Sequence, residues 1–248
     1  MGTFKDSLKK WFYTQGTTAA SASARLPLLD ASGNPIGSDT PDNLLKKQPL
    51  FTSNVGVAVR DASNGAYRLR QADEAASYAS SAVGVWIIEG GKSLIVAKDQ
   101  QASTKWATTN VAGGNSYITD REAALANMTG RANTSTIITT LGDNAPAAKY
   151  CHEYYPSNVD AADGNFGAGR WWLPSIGELG MIWAHLFEIN RILAQIGGTA
   201  LNRSQAYWSS TEYSATYAWG LYFSHGLFSY YNFNKTPENS VRPVSAFY

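Results

Sequence analysis

The chain is poor in cysteine: Cys151 is the only one in 248 residues. That excludes an internal disulfide and any multi-cysteine zinc site, and leaves Cys151 the role of a small buried hydrophobe. An excess of charge of one sign is missing too. Lys and Arg number 20 against 19 Asp and Glu, for a formal net charge of +1, and the basic residues are scattered rather than striped, so the sequence carries no nucleic-acid footprint. No apolar run approaches the roughly 18 residues that span a bilayer, which argues against helical membrane insertion. Met1-Gly2-Thr3-Phe4-Lys5-Asp6 lacks the apolar core of a signal peptide, so export by the general route is not expected. Catalytic and phosphate motifs are absent as well. None of His152, His185 and His225 accompanies a Gly-x-Ser-x-Gly elbow. The glycine-rich stretch Asp163 to Gly169 has neither the acidic spacing and final Glu of a calcium loop nor the Gly-Lys-Ser/Thr of a phosphate cradle.

The most informative absence is local. From Tyr213 to Asn234 there is no Lys, Arg, Asp or Glu, while Tyr213, Tyr217, Tyr222, Tyr230 and Tyr231 alternate with Ser, Gly and Asn. Core strands favour Val, Ile and Leu, and this run holds only Leu221 and Leu227 of that kind. Its vocabulary is that of a paratope, in which rigid amphipathic Tyr supplies contact area and small polar residues supply adaptable hydrogen bonds.

The rest of the chain suits one good-sized domain with a small appendage, since 44% of its residues are apolar. Phe4, Leu8, Trp11 and Phe12 predict a short amphipathic helix over Lys5 to Tyr13, followed by a Thr/Ala/Ser linker from Gln15 to Ala24 and a turn over Ala31 to Ile36. Asn64-Gly65 predicts a hairpin between Asn54 to Arg60 and Ala66 to Leu69. A second hairpin, Ala82 to Ile88 with Leu94 to Ala97, turns at Glu89 to Lys92. Helices are expected over Asp73 to Ser80, Asp120 to Met128, Thr134 to Leu141 (capped by Asn133 or Thr134) and Ala147 to Tyr155. The strongest helical signal runs from Ser175 to Gly197: Ser175 and Glu178 form a capping box, and Leu179, Ile182, Trp183, Leu186, Ile189, Leu193 and Ile196 make one apolar stripe.

Trp171-Trp172-Leu173-Pro174-Ser175, Glu178-Leu179, Tyr207-Trp208-Ser209-Ser210-Thr211-Glu212, Ala218-Trp219 and Val241-Arg242-Pro243-Val244 together resemble the variable proteins of diversity-generating retroelements. Gly130 to Thr134, and Ala147-Ala148 with Cys151, are similar to further runs of that family, so the resemblance extends from about Asn54 onward. It implies an α+β chain: a C-type-lectin-like domain of the formylglycine-generating-enzyme type over residues 49–248, with its variable region at about 207–247, after an N-terminal virion-attachment or oligomerisation segment over residues 1–48. Enzymes of that fold use a reactive cysteine pair, which Cys151 alone cannot supply, so no enzymatic activity and no cofactor are expected. Calcium-dependent lectins carry Glu-Pro-Asn or Gln-Pro-Asp with Trp-Asn-Asp. Here Pro237-Glu238-Asn239 has those letters in another order, and no metal is expected.

In such systems a reverse transcriptase copies a template repeat into the 3′ end of the gene and mutates adenines. An AAY codon altered at its adenines can reach Tyr, Ser, His, Gly, Leu, Phe, Asn, Thr, Ala and Pro, but not Trp, Lys, Glu, Gln or Met. The run from Tyr213 to Asn234 holds only residues of the reachable set apart from Trp219, which is read as framework. The resemblance thus implies a variable, ligand-contacting set of Ser214, Thr216, Tyr217, Gly220, Tyr222, Ser224, His225, Leu227, Ser229, Tyr230, Tyr231, Asn232 and Asn234, with Pro237 as an outlying candidate and Phe223, Gly226, Phe228 and Phe233 fixed between them. The implied protein is a phage tail-fibre adhesin, made in the host cytoplasm and carried on the virion. It binds a host cell-surface protein or glycan, docks to other virion proteins through its N-terminal segment, and is a possible homotrimer. A structural decoration protein of the virion and a bacterial diversified binder are the alternatives.

Overall fold

The computed structural model describes residues 26–29, 35–39, 54–230 and 233–247. The chain divides into two compact units, Met1–Thr52 and Ser53–Tyr248. In the first, β1 (Leu26–Leu29) pairs antiparallel with β2 (Pro35–Asp39), flanking the segment where Gly33 and Asn34 predict a turn. The helix expected over Lys5 to Tyr13 and the linker after it lie outside the described residues.

The second unit is α+β. Its first sheet joins β3 (Val55–Arg60), β4 (Tyr67–Gln71), β5 (Ala82–Glu89), β6 (Lys92–Ala97) and the short β12 (Val244–Ser245), in the order β12-β6-β5-β3-β4. Both expected hairpins are present. Arg60 faces Tyr67 across the first, and the Asn64 Oδ1 accepts the Ala66 amide at 2.9 Å in its turn. Gly90 and Gly91 close the second with φ of 55° and 77°, a two-residue turn that needs the left-handed region twice and so favours glycine. β5 is buried on both faces, which explains its unbroken apolar run. The short helix read over Asp73 to Ser80 is a 3-10 helix, Ala72–Tyr78.

The second sheet contains β7 (Gln101–Lys105), β8 (Ala206–Glu212), β9 (Ala218–Tyr222), β10 (Leu227–Ser229) and β11 (Glu238–Val241), in the order β10-β9-β8-β11-β7. β8 and β11 run parallel, and the remaining neighbours are antiparallel. Six tryptophans are buried around the two sheets, and five of them, Trp86, Trp106, Trp171, Trp208 and Trp219, meet backbone acceptors. Those five indole N–H groups donate at 2.7 to 3.0 Å, so the cores gain large apolar groups without stranding a donor.

Five α-helices are described: α1 (Arg121–Leu125), α2 (Gly130–Leu141), α3 (Pro146–Glu153), α4 (Ile176–Ala184) and α5 (Leu186–Gln195). α2 starts four residues ahead of the expected Thr134. Thr134 lies inside it, donating to the Gly130 carbonyl at 2.8 Å and accepting the Leu173 amide at 3.0 Å, so it braces the helix against the next segment rather than capping it. The Ser175–Glu178 capping box forms as expected. The single long helix does not. His185 breaks it with φ of −108° and ψ of 16°, its amide turning back to Ile182, while its ring meets Glu89 of β5 at 2.9 Å. Leu179, Ile182, Leu186, Ile189, Leu193 and Ile196 still face one core. Trp183 leaves that stripe and is 37% exposed. Among the described residues no helix is long and apolar enough to cross a membrane.

Cys151 is wholly buried on α3, and burial pushes its thiol well above the usual range. It is expected to stay unreactive toward a chromogenic disulfide reagent in the folded protein and to react fully once denatured. Full reaction without denaturant would contradict its placement.

Candidate ligand-binding surface

The uncharged run is bounded by the two charged residues immediately outside it, Glu212 and Lys235. These meet as an ion pair at 2.5 Å, both side chains 0% exposed. Glu212 also accepts the amides of Gly113 at 2.7 Å and Asn115 at 3.0 Å, and Lys235 donates to the Val111 carbonyl at 2.9 Å while lying 4.2 Å from the centre of the Trp106 ring. Burial pulls the Lys235 pKa below its ordinary value although Glu212 works against that shift. Backbone bonds complete the clamp: the Ala218 amide donates to Phe233, the Lys235 amide to Thr216, and Tyr217 bridges Asn234. Both ends of the run are therefore tied to one buried point.

Between those ends the run forms the β9–β10 hairpin, with Tyr222 opposite Leu227, Leu221 opposite Phe228 and Gly220 opposite Ser229. Period-two alternation separates fixed from exposed positions. Trp219, Leu221 and Phe223 are buried in the core beneath α4, and Phe233 is buried against Trp208 on the opposite side of the sheet. Phe228 is half-buried over Gly180. At the tip, Ser224, His225 and Leu227 are exposed, and the half-buried Tyr222 stacks on His225 at 5.8 Å. Gly226 carries φ of 67°, and a Cβ there would fall 2.3 Å from Trp183 Cζ2, so the tip rests directly on the indole of α4.

The predicted contact residues come together in two groups. Tyr222, Ser224, His225 and Leu227 gather at the hairpin tip. Ser214, Thr216, Tyr217, Tyr230 and Asn234, all half-buried, gather at the clamped end with the half-buried Ser229 between. The five residues of β9 separate the groups by about 17 Å, at about 3.3 Å per residue. Tyr230 is partly structural: it stacks on Tyr213 at 3.5 Å and meets the edge of Trp219 at 5.1 Å. Tyr231 and Asn232 lie outside the described residues. Pro237 is exposed just before β11. Gly220 is the one position placed inside. It is buried, and a Cβ on it would lie 1.9 Å from Phe233 Cε1, so it supports the ring and presents nothing to a ligand. Gly220→Ala is accordingly expected to cost about 1 to 3 kcal/mol in chemical denaturation through overpacking. An unchanged midpoint would show that Phe233 moves aside freely.

Sequence reasoning missed Trp183 and Phe187. Trp183 on α4 is 37% exposed and lies directly under the tip, so an apolar face adjoins the variable group there; Phe187 on α5 is 73% exposed with the Arg203 guanidinium 5.0 Å from its ring centre. Exposure, unlike helical spacing, cannot be read from the stripe that includes Trp183. Among the described residues no group of three His, Cys, Asp or Glu side chains is arranged to hold a metal ion.

No protein-family model matches the chain, and no curated protein matches it. Among solved structures it is similar in fold to a fimbrial protein from Bacteroides ovatus ATCC 8483, with a TM-score of 0.56 at 15% identity over 77% of this chain. The match spans 48% of that protein, about half its length.

Proposed function

We propose that Ser53–Tyr248 is a C-type-lectin-like domain of the formylglycine-generating-enzyme type that reads a host cell-surface receptor, and that retroelement mutagenesis alters the residues that do the reading. The carrying observation is the clamp. An uncharged, tyrosine-rich run stands at the surface on a hairpin and loop whose ends are fixed by the buried Glu212–Lys235 pair and whose underside is a buried aromatic layer. Side chains on the outer positions can change there while the layer below keeps its packing, which is what a diversified binding surface needs. The fold likeness to a fimbrial protein fits a surface-adhesion role. The proposed setting is the phage virion, with the segment before Ser53 docking to other virion proteins or joining copies in a trimer. Several copies on one particle multiply a weak single-site affinity.

A protein receptor fits better than a glycan, because the exposed Leu227 of the tip and the 37% exposed Trp183 beneath it add apolar contact area to the tyrosines. Tyr222→Ala and Tyr217→Ala test the reading, one at each group. As binding hot spots, each is expected to weaken adsorption to receptor-bearing cells by roughly 2 kcal/mol or more, about thirtyfold, in variants that remain folded. Undiminished adsorption by both folded variants would overturn the adhesin reading.

A further inference from the structure

The fifteen residues 106–120, between β7 and α1, form neither helix nor strand. Loops of roughly 12 to 15 residues or more without secondary structure are uncommon in a packed domain, and those that are ordered usually serve function. This one is held at six points to the ends of the variable run and to its framework tryptophan. The Ala107 amide donates to the Lys235 carbonyl at 3.1 Å, and the Val111 carbonyl accepts from Lys235 Nζ at 2.9 Å. Gly113 and Asn115 give their amides to the Glu212 carboxylate. Ile118 makes the last two bonds: its amide donates to the Glu212 carbonyl at 2.9 Å, and its carbonyl accepts the Trp219 indole N–H at 2.7 Å. Trp219 in turn meets the stacked pair Tyr213 and Tyr230. Loop and clamped end are thus one bonded unit.

The loop also shares the composition of the run it borders. From Trp106 to Thr119 there is no Lys, Arg, Asp or Glu, and Thr, Asn, Gly, Ser and Tyr make up most of the stretch. Burial does not explain that absence. Another charge-free stretch, Ala75 to Ile88, ends in β5, whose strand lies in the core. In the loop, by contrast, Thr108, Thr109, Asn110, Ser116, Tyr117 and Thr119 are exposed, Tyr117 by 47%. Small polar residues around an exposed Tyr, without charge, suit a surface that a protein partner covers, because desolvating a charge costs far more than desolvating a hydroxyl or amide. Contact area points the same way. The variable positions are fewer than the roughly 20 to 30 residues per side of a standard interface, so a protein receptor needs further surface beside them.

We infer that the loop from Thr108 to Thr119 is a second, fixed part of the receptor-contacting surface, with Tyr117 as its anchor. This rests on the receptor-reading proposal and extends it to residues outside the variable region. The loop contacts the same protein receptor as the clamped-end group that includes Tyr217 and Asn234. Its six bonds hold it in place beforehand, so binding bears little cost of ordering it. Adsorption of the full-length chain to receptor-bearing cells tests this with Tyr117→Ala, which removes the anchor, and Ser116→Lys, which puts a charge into the loop. Both positions are exposed, so the unfolding midpoint should hold, and each variant is expected to adsorb about tenfold or more weakly. Full adsorption by either folded variant would overturn the inference. The adhesin reading would still stand where Tyr217→Ala or Tyr222→Ala weakens adsorption, whereas full adsorption by all four variants would overturn both.

Discussion

Lys235→Met is expected to lower the unfolding free energy by about 3 to 5 kcal/mol, because it leaves Glu212 charged, wholly buried and without its cation. The loss extends beyond one contact. Glu212 also anchors the amides of Gly113 and Asn115, and Lys235 anchors the Val111 carbonyl, so the segment between β7 and α1 is held to the variable run through this pair. Removing both charges in Glu212→Gln with Lys235→Met should cost less than the sum of the single changes, since no unpaired charge then remains. Chemical denaturation of the four proteins in that cycle gives the coupling. Additive losses would mean that the two side chains act independently, and would contradict the clamp.

Arg242→Met is expected to be as severe, at least about 3 kcal/mol in the same measurement, since up to four acceptors lose their donor and each unsatisfied buried group costs about 1 to 3 kcal/mol. The Arg242 guanidinium is 0% exposed and makes no ion pair among the described residues. It donates instead to the carbonyls of Ala97 at 2.9 Å, Lys98 at 3.0 Å and Thr199 at 2.7 Å, and to Gln100 Oε1 at 2.8 Å. One side chain thereby ties the end of β6 and the segment leading to β7 to the chain that follows α5. Methionine matches much of its volume and none of its bonds. Arg242→Lys keeps the charge but not the planar fork, and should recover only part of the loss. A methionine variant as stable as the parent would show that these carbonyls find other donors.

Local chemistry made much of this architecture readable. Asn64-Gly65 and Gly90-Gly91 each carry the turn residues their hairpins need, and the Ser175–Glu178 box marks the start of α4 by the bonds it forms. The parts that stayed hidden depend on tertiary partners. β7 has no apolar pattern, since Gln101 to Lys105 is mostly exposed, and it is a strand because β11 pairs with it and the Trp208 indole bonds to Thr104. Apolar spacing passes through His185 without a fault, so the break there becomes visible only with Glu89 beside it. Gly220 and Leu227 look alike to a codon argument. Burial separates them, because one lies under Phe233 and the other is 40% exposed. The clamp did leave a trace in the sequence: Glu212 and Lys235 are the nearest charges on either side of the uncharged run.

The most direct measurement on the diversified-surface reading is the nucleotide sequence of this gene and its flanks. A near-copy of the stretch encoding Tyr207 to Phe247 is expected nearby, beside a reverse transcriptase gene. It should differ at adenines, with AAY codons opposite those for Tyr217, Tyr222, Ser224, His225 and Leu227. Codons for the buried Trp208, Gly220, Phe223 and Phe233 should be identical in both copies. Absence of any such repeat, or differences that fall on the buried codons or are not confined to adenines, would contradict it and leave the run a fixed aromatic surface.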